Sequence, residues 1–129
     1  MGVHSFDRPT QRPVPLPLTG VDVDGRPVSI HFARRTVVLA VKANCGGCRD
    51  FLAARLAFEG FDVVLVSAAP MSTTESAAPI VVAGEWMARA GLVAAPSYTV
   101  IDPLTSRVIT EGVAFAPAQV AQEIATHLG

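Results

Sequence analysis

The feature that most constrains this chain is a pair of cysteines, Cys45 and Cys48, set between a buried strand and a helix. They are the only two cysteines in 129 residues. The apolar run over residues 37–41 predicts a strand covered on both faces, and apolar residues at helical spacing predict a helix over about residues 47–58. A lone pair of thiols at such a junction indicates reversible disulfide chemistry rather than a structural staple or a metal site.

The positions of the two thiols predict different roles for them. Residues three apart on a helix are neighbours, so a modest local adjustment brings their sulfurs to bonding distance. Cys45 is expected at the helix N-terminus, where unpaired amide groups and the helix dipole lower the pKa of a thiol, so we predict that it attacks the substrate. Cys48 falls on the apolar face of the helix and is the predicted resolving thiol. Gly46 and Gly47 leave the approach to Cys45 open for a bulky protein disulfide.

Charged residues near the pair are candidates for tuning its chemistry. Lys42 is the only lysine of the chain, and its charge would favour the thiolate of Cys45 if the side chain points toward the sulfur. The alternative interpretation is a lysine at the end of a strand that reaches into water. No acidic residue occurs between residues 33 and 47, so a carboxylate that accepts the Cys48 proton would have to approach in space. The candidates for that role are Glu59, Asp62 and Glu75.

The remaining sequence predicts one α/β domain over residues 14–129, after a flexible tail over residues 1–13. A turn at Asp24-Gly25 between two extended segments predicts an N-terminal hairpin. Strands that alternate with helices predict parallel pairing through a right-handed crossover, and a final hairpin adds an antiparallel edge. The further predicted strands cover residues 36–42, 61–67, 79–82, 98–102 and 107–113, and the further helices cover residues 84–90 and the segment from Pro117 to residue 128.

Composition limits the classes of partner. Half of the residues are hydrophobic, 16% are charged and the net charge is −1. Such a chain can bury a full core, and its charge gives no electrostatic basis for binding nucleic acid or a membrane surface. No apolar run is long enough to cross a membrane, and residues 1–9 lack the pattern of a signal peptide. We therefore expect a cytoplasmic location and a monomer. A protein whose export signal had been removed would show the same sequence.

On these residues the chain resembles the thioredoxin-like superfamily, and within it the TlpA/ResA-like thiol-disulfide oxidoreductases, which share an outline with the peroxiredoxins. The resemblance covers about residues 14–128. It implies a thioredoxin-like fold, with a central mixed β-sheet flanked by helices and an added N-terminal β-hairpin. The segments that carry it are residues 37–49 with the C-x-x-C pair, residues 91–102 with Ala95-Pro96, residues 107–113 with Gly112, and the hairpin around Asp24-Gly25.

The resemblance also implies the remaining site residues. Pro96 is expected to be cis and to face the disulfide, and the backbone of Ala95 is expected to pair with an incoming substrate strand. An ordinary turn proline is the alternative. The resemblance implies no cofactor other than the redox-active Cys45–Cys48 disulfide. The implied partners are protein disulfides and a thiol or reductase that donates electrons. Trp86 is expected to pack its helix on the core, with a place in the substrate groove as the alternative.

Two positions depart from the family pattern. Asn44 stands where a tryptophan commonly precedes the first cysteine, so it joins Lys42 as a candidate for tuning the pKa of Cys45. Leu39 stands where thioredoxins bury an acidic residue. These departures bear on the rate of turnover and leave the disulfide chemistry in place.

Other functions for the same pair have weaker support. The main alternative is a redox-sensing or binding module of the same fold, whose disulfide switches partner affinity without turnover. A thiol peroxidase resembling the peroxiredoxins would have Thr and Pro where this chain has Lys42 and Val38. Two inert buried cysteines are disfavoured by the glycines between them, and a zinc site is disfavoured by scattered histidines. The three histidines are His4, His31 and His127.

Overall fold

The computed structural model describes residues 12–42, 48, 58, 60–70, 80–92 and 95–128. Within these residues the chain forms seven strands and two helices. The strands are β1 (Leu18–Val21), β2 (Pro27–Ile30), β3 (Thr36–Val41), β4 (Asp62–Ser67), β5 (Ile80–Val82), β6 (Ser97–Asp102) and β7 (Arg107–Val113), and the helices are α1 (Gly84–Ala90) and α2 (Pro117–Leu128). The helix predicted over residues 47–58 falls outside the described residues except at positions 48 and 58.

The described strands form one mixed sheet with the order β2-β1-β5-β4-β3-β6-β7. β3 pairs in parallel with β4, and β4 pairs in parallel with β5. The remaining neighbours are antiparallel, including the final hairpin of β6 and β7. The predicted α/β class, with a parallel centre and an antiparallel edge, is confirmed.

β3 is an interior strand of the sheet, between β4 and β6, and its sequence is apolar on both faces. All six of its residues are buried, and the one polar side chain, Thr36, donates its hydroxyl to the Arg34 carbonyl at 2.9 Å. Side chains alternate along a strand, so β3 contributes to a buried cluster on each face of the sheet. Val38 and Ala40 pack in one cluster with Trp86 of α1. The other, here called the Cys48 cluster, consists of Val37, Leu39, Val41, Cys48, Leu65, Ile80, Tyr98, Val100, Ala114, Val120 and Ile124.

The predicted N-terminal hairpin is present. It consists of the antiparallel strands β1 and β2 and the turn between them. Asp22 fixes the turn, because its Oδ1 accepts hydrogen bonds from the amides of Asp24 at 2.8 Å and Arg26 at 2.9 Å. β1 also pairs with β5, where a Cβ at Gly20 would lie 2.3 Å from the Val82 carbonyl oxygen. Only glycine allows this approach of the hairpin to the sheet.

The two helices follow the predicted bounds. α1 ends at Gly91, which has a φ of 81° and donates its amide to Ala88 at 3.2 Å, as a left-handed helix cap requires. In α2, Val120 and Ile124 are buried and Leu128 packs beside them, so the predicted inner face is confirmed. Both helices therefore cover apolar faces of the sheet.

Arg12 ties the segment before the hairpin to the sheet. Its Nε donates to the Ala90 carbonyl at 2.9 Å, and its terminal nitrogens bind both carboxylate oxygens of Glu111 at 2.5 and 2.8 Å. The Glu111 carboxylate raises the pKa of Arg12 through this hydrogen bond. Pro13 forms a bridge with Arg107 on β7. Arg12 and Pro13, the last two residues of the predicted tail, are thus held on the domain by a two-pronged ion pair and by backbone pairing.

We expect Arg12→Ala to lower the free energy of unfolding by about 2 kcal/mol, because it removes charge-assisted hydrogen bonds from a half-buried carboxylate. The matched control is Arg34→Ala. Arg34 binds Asp62 at 2.9 Å through one nitrogen, and both side chains are about half exposed, so its loss is expected to cost less than about 1 kcal/mol. Urea unfolding of both variants measures the difference, and equal losses would contradict the structural role of Arg12.

Candidate functional site

Three residues that the sequence predicts for the site, Lys42, Ala95 and Pro96, adjoin strand ends at one edge of the sheet. The carboxyl ends of the parallel strands β3, β4 and β5 meet at this edge, and the cysteine pair follows β3 in the sequence. Ala40, near the end of β3, pairs with Ser97, the first residue of β6, and Ser97 pairs in turn with Val113, the last residue of β7. We call this edge the carboxyl edge.

Cys48 is the described member of the cysteine pair. Its side chain is fully buried in the Cys48 cluster, which joins it to β3, β6 and α2. Its sulfur is in a disulfide. The predicted site residues Asn44, Cys45, Gly46 and Gly47 lie outside the described residues, so their roles remain predictions.

Ala95 and Pro96 lead into β6 at the carboxyl edge. The peptide bond between them is cis. The Pro96 carbonyl accepts a hydrogen bond from the Ala114 amide at 3.1 Å, and Ala95 is half-buried against the cluster that contains Trp86. The segment before β6 is therefore attached to the segment that follows β7.

Two charged candidates, Lys42 and Asp62, adjoin opposite edges of the sheet. Lys42, directly after β3, is exposed. Asp62, a candidate acceptor for the Cys48 proton, pairs with Thr36 at the opposite end of β3 and binds Arg34. Because β3 and β4 run in parallel, Asp62 lies at the edge of the sheet opposite the carboxyl edge, which disfavours it as that acceptor. Glu59 and Glu75, the other candidates, lie outside the described residues.

A polar network that sequence reasoning missed lies next to the Cys48 cluster. Tyr98, buried on β6, donates its hydroxyl to Oε1 of Glu123 at 2.6 Å, and Gln119 donates to Oε2 at 2.7 Å. Burial raises the pKa of Tyr98 well above its ordinary value, and the Glu123 carboxylate raises it further. The hydrogen bond from Tyr98, followed by that from Gln119, lowers the pKa of Glu123. A tyrosine in a buried strand was the available signal, since a buried hydroxyl needs a partner.

We expect Tyr98→Phe to lower the free energy of unfolding at neutral pH by about 1 kcal/mol and to raise the pKa of Glu123 toward its ordinary value. A carboxylate whose folded pKa is depressed adds stability above its unfolded pKa and loses it as pH falls through the folded pKa. The gap in stability between the wild type and Tyr98→Phe should therefore shrink on acidification. Urea unfolding across pH, with NMR titration of Glu123, measures both effects, and an unchanged Glu123 pKa would contradict the network.

No group of three His, Cys, Asp or Glu side chains among the described residues is placed to hold a metal ion. None of the described helices is long and apolar enough to span a membrane.

Known structures share this architecture. The sequence matches no protein-family model and no curated protein. The thioredoxin domain of a thiol-disulfide oxidoreductase from Bacteroides vulgatus aligns with a TM-score of 0.66 at 18% identity, over 92% of this chain and 98% of that one. A DsbF homologue from Corynebacterium diphtheriae aligns with a TM-score of 0.64 at 19% identity, over 95% of this chain and 90% of that one.

A thiol:disulfide interchange protein of the thioredoxin family from Chlorobium tepidum aligns with a TM-score of 0.59 at 23% identity, over 92% of this chain and 98% of that one. The chain therefore has the thioredoxin-like fold, as its resemblance to the TlpA/ResA-like proteins implies. Similarity at this level of identity concerns the fold, and function has to be argued from the site.

Proposed function

We propose that this protein is a thiol-disulfide oxidoreductase that acts on protein disulfides, with Cys45 as nucleophile and Cys48 as resolving thiol. The observation that carries the proposal is the buried Cys48, three residues after Cys45 and following a central parallel strand at the carboxyl edge. The solved structures reported above include one named a thiol-disulfide oxidoreductase and one named a thiol:disulfide interchange protein. Their names support the proposal that a chain of this fold carries out this chemistry. The redox-active group is the Cys45–Cys48 couple, and no other cofactor is proposed.

The proposed reaction is two successive thiol–disulfide exchanges. The Cys45 thiolate attacks one sulfur of the substrate disulfide, forms a mixed disulfide, and releases the other substrate sulfur as a thiolate that takes a proton from water. Cys48 loses its proton to water and attacks the sulfur of Cys45, which releases the second substrate thiolate. The substrate gains two electrons, and the Cys45–Cys48 disulfide retains the oxidised state until an external dithiol reduces it.

Different environments suit the two sulfurs to these steps. An attacking thiol needs access to the substrate and a low pKa. We propose that the start of the helix predicted over residues 47–58 lowers the pKa of Cys45, with Lys42 and Asn44 as residues that tune it. A resolving thiol benefits from shielding, because it then reacts only with the neighbouring mixed disulfide. The full burial of Cys48 supports that role. Ala95 and Pro96, at the same edge of the sheet, are proposed to contact the substrate backbone.

Reduction of insulin by dithiothreitol tests the proposal. We expect the wild-type protein to accelerate the appearance of precipitated insulin chains, and the double variant Cys45→Ser/Cys48→Ser to leave the rate at that of dithiothreitol alone. The double variant is the matched control, because serine preserves side-chain size and removes both thiols. Equal rates for the two proteins would contradict the proposal. A reversible disulfide without any acceleration would instead assign the chain to redox sensing.

A further inference from the structure

The resolving step of the proposed reaction requires a thiolate at Cys48, and the surroundings of Cys48 oppose one. Its side chain is fully buried in the Cys48 cluster, whose other members are aliphatic except for Tyr98. Burial among apolar groups disfavours an ionised sulfur unless a hydrogen-bond donor compensates for the lost water. The Tyr98 hydroxyl already donates to the Glu123 carboxylate at 2.6 Å. The Cys48 thiolate therefore needs a different donor.

Ser67, the last residue of β4, places a buried hydroxyl at the carboxyl edge. Its residue is 1% exposed and pairs with Val41, the last residue of β3. Paired residues of neighbouring strands point to the same face of a sheet, and so do residues two apart along one strand. Val41 and Leu65 both belong to the Cys48 cluster. The side chain of Ser67 therefore lies on the face of the sheet that carries this cluster.

The other buried serine and threonine side chains in the described part of the chain lie elsewhere. Thr36 is the first residue of β3 and is at the edge opposite the carboxyl edge. Thr99, in the interior of β6, is on the other face of the sheet. Thr110, in the interior of β7, is hydrogen-bonded to Tyr98. Among these residues, Ser67 is the one that joins the right edge to the right face.

The hydroxyl of Ser67 is held in position and has a neutral acceptor. The Ser67 carbonyl accepts a hydrogen bond from the Ala83 amide at 2.8 Å, which fixes the backbone, and the hydroxyl donates to the Ala69 carbonyl at 2.5 Å. A thiolate is a charged acceptor and forms stronger hydrogen bonds than a carbonyl does. Because the hydrogen of a hydroxyl rotates to suit its acceptors, the donor is free to turn toward the sulfur of Cys48 when that sulfur ionises.

We propose that the Ser67 hydroxyl donates a hydrogen bond to the ionised Cys48 sulfur and returns to the Ala69 carbonyl once the disulfide has formed. This inference rests on the proposed function and concerns its resolving step alone. In that step the Cys48 thiol releases its proton to water and the thiolate attacks the sulfur of Cys45. The bond between Cys45 and the substrate breaks, and the substrate leaves as a thiolate that takes a proton from water. Ser67 keeps its own proton throughout and stabilises the attacking thiolate.

Stopped-flow reaction of the reduced protein with the aromatic disulfide dithiobis(nitrobenzoate) tests the inference. Attack by Cys45 releases the first nitrothiobenzoate ion and resolution by Cys48 releases the second, so one absorbance trace reports both steps. In Ser67→Ala the first phase should keep its wild-type rate. The second phase should slow about tenfold at neutral pH, and its pH midpoint should rise by about one unit, because a hydrogen bond to a charged group is lost.

Thr36→Val is the matched control. The Thr36 hydroxyl is also buried and also donates to a carbonyl two residues away, that of Arg34 at 2.9 Å, but at the opposite edge of the sheet. Both phases should therefore keep their wild-type rates in Thr36→Val. Ser67→Thr and Ser67→Val form a second comparison of nearly equal shapes that differ in the hydroxyl. Ser67→Thr should retain the fast second phase and Ser67→Val should lose it, which decides the matter if Ser67→Ala is unfolded.

The outcomes separate this inference from the proposed function. A wild-type protein that keeps a nitrothiobenzoate adduct on each cysteine, as shown by intact mass, would contradict the proposed function and the inference with it. A wild type that forms the Cys45–Cys48 disulfide, with the same second phase in Ser67→Ala, would overturn the inference alone. Equal slowing of both phases in Ser67→Ala would assign a purely structural role to Ser67 and would also overturn it.

Discussion

Cys45→Ser is expected to abolish the reduction of protein disulfides, with a loss of turnover on the order of a thousandfold or more, because serine cannot attack a disulfide sulfur at neutral pH. Cys48→Ser should also lose turnover and should instead accumulate a mixed disulfide between Cys45 and the substrate. The different products follow from the proposed order of the two exchanges, in which attack precedes resolution. Non-reducing electrophoresis and intact mass measurement with insulin as substrate distinguish the two variants.

The control for both variants is their stability. Since Cys48 is fully buried, Cys48→Ser places a hydroxyl in an apolar cluster, and thermal unfolding must show that the variant is folded at the assay temperature. A substrate adduct on Cys48 in Cys45→Ser, and none on Cys45 in Cys48→Ser, would reverse the assigned roles. Unaltered turnover in Cys45→Ser would contradict the proposed mechanism as a whole.

The elements that sequence predicted well are those with a local signal. The continuous apolar run of β3 predicts a strand covered on both faces, and the structure buries all six of its residues. Gly91 predicts the end of α1, because a left-handed cap favours glycine. The spacing of Val120 and Ile124 predicts the inner face of α2. In each case neighbouring residues determine the result, so no knowledge of the tertiary arrangement is needed.

The features that sequence did not predict depend on residues far apart in the chain. Arg12 meets Glu111 across most of the sequence, and nothing near either residue indicates the pair. The placement of Asp62 at the edge opposite the carboxyl edge depends on the parallel register of β3 and β4. Gln119 resembles any exposed helical glutamine until the segment 113–116 folds against it. The proposed thiol chemistry rests on two cysteines that the sequence already shows, whereas the hydrogen bonds of Gln119 required the fold.

Trp86→Ala is expected to lower the free energy of unfolding by about 3–5 kcal/mol, the largest loss of stability that we predict. Trp86 is almost completely buried between α1 and the sheet, as its sequence context predicts, and its indole nitrogen donates to the Pro15 carbonyl at 2.5 Å. The substitution therefore leaves a cavity in the core and removes the bond that anchors the segment before β1. Urea unfolding measures the loss.

Trp86→Phe separates these two contributions. It fills most of the cavity and leaves the Pro15 carbonyl without its donor, so a smaller loss of about 1–3 kcal/mol is expected. The same variant tests whether Trp86 belongs to the substrate groove. Because Trp86 packs on the face of β3 opposite the Cys48 cluster, kcat/KM of folded Trp86→Phe for a peptide disulfide should equal that of the wild type. A fall in kcat/KM without a fall in the folded fraction would place Trp86 in the groove and contradict a purely structural role.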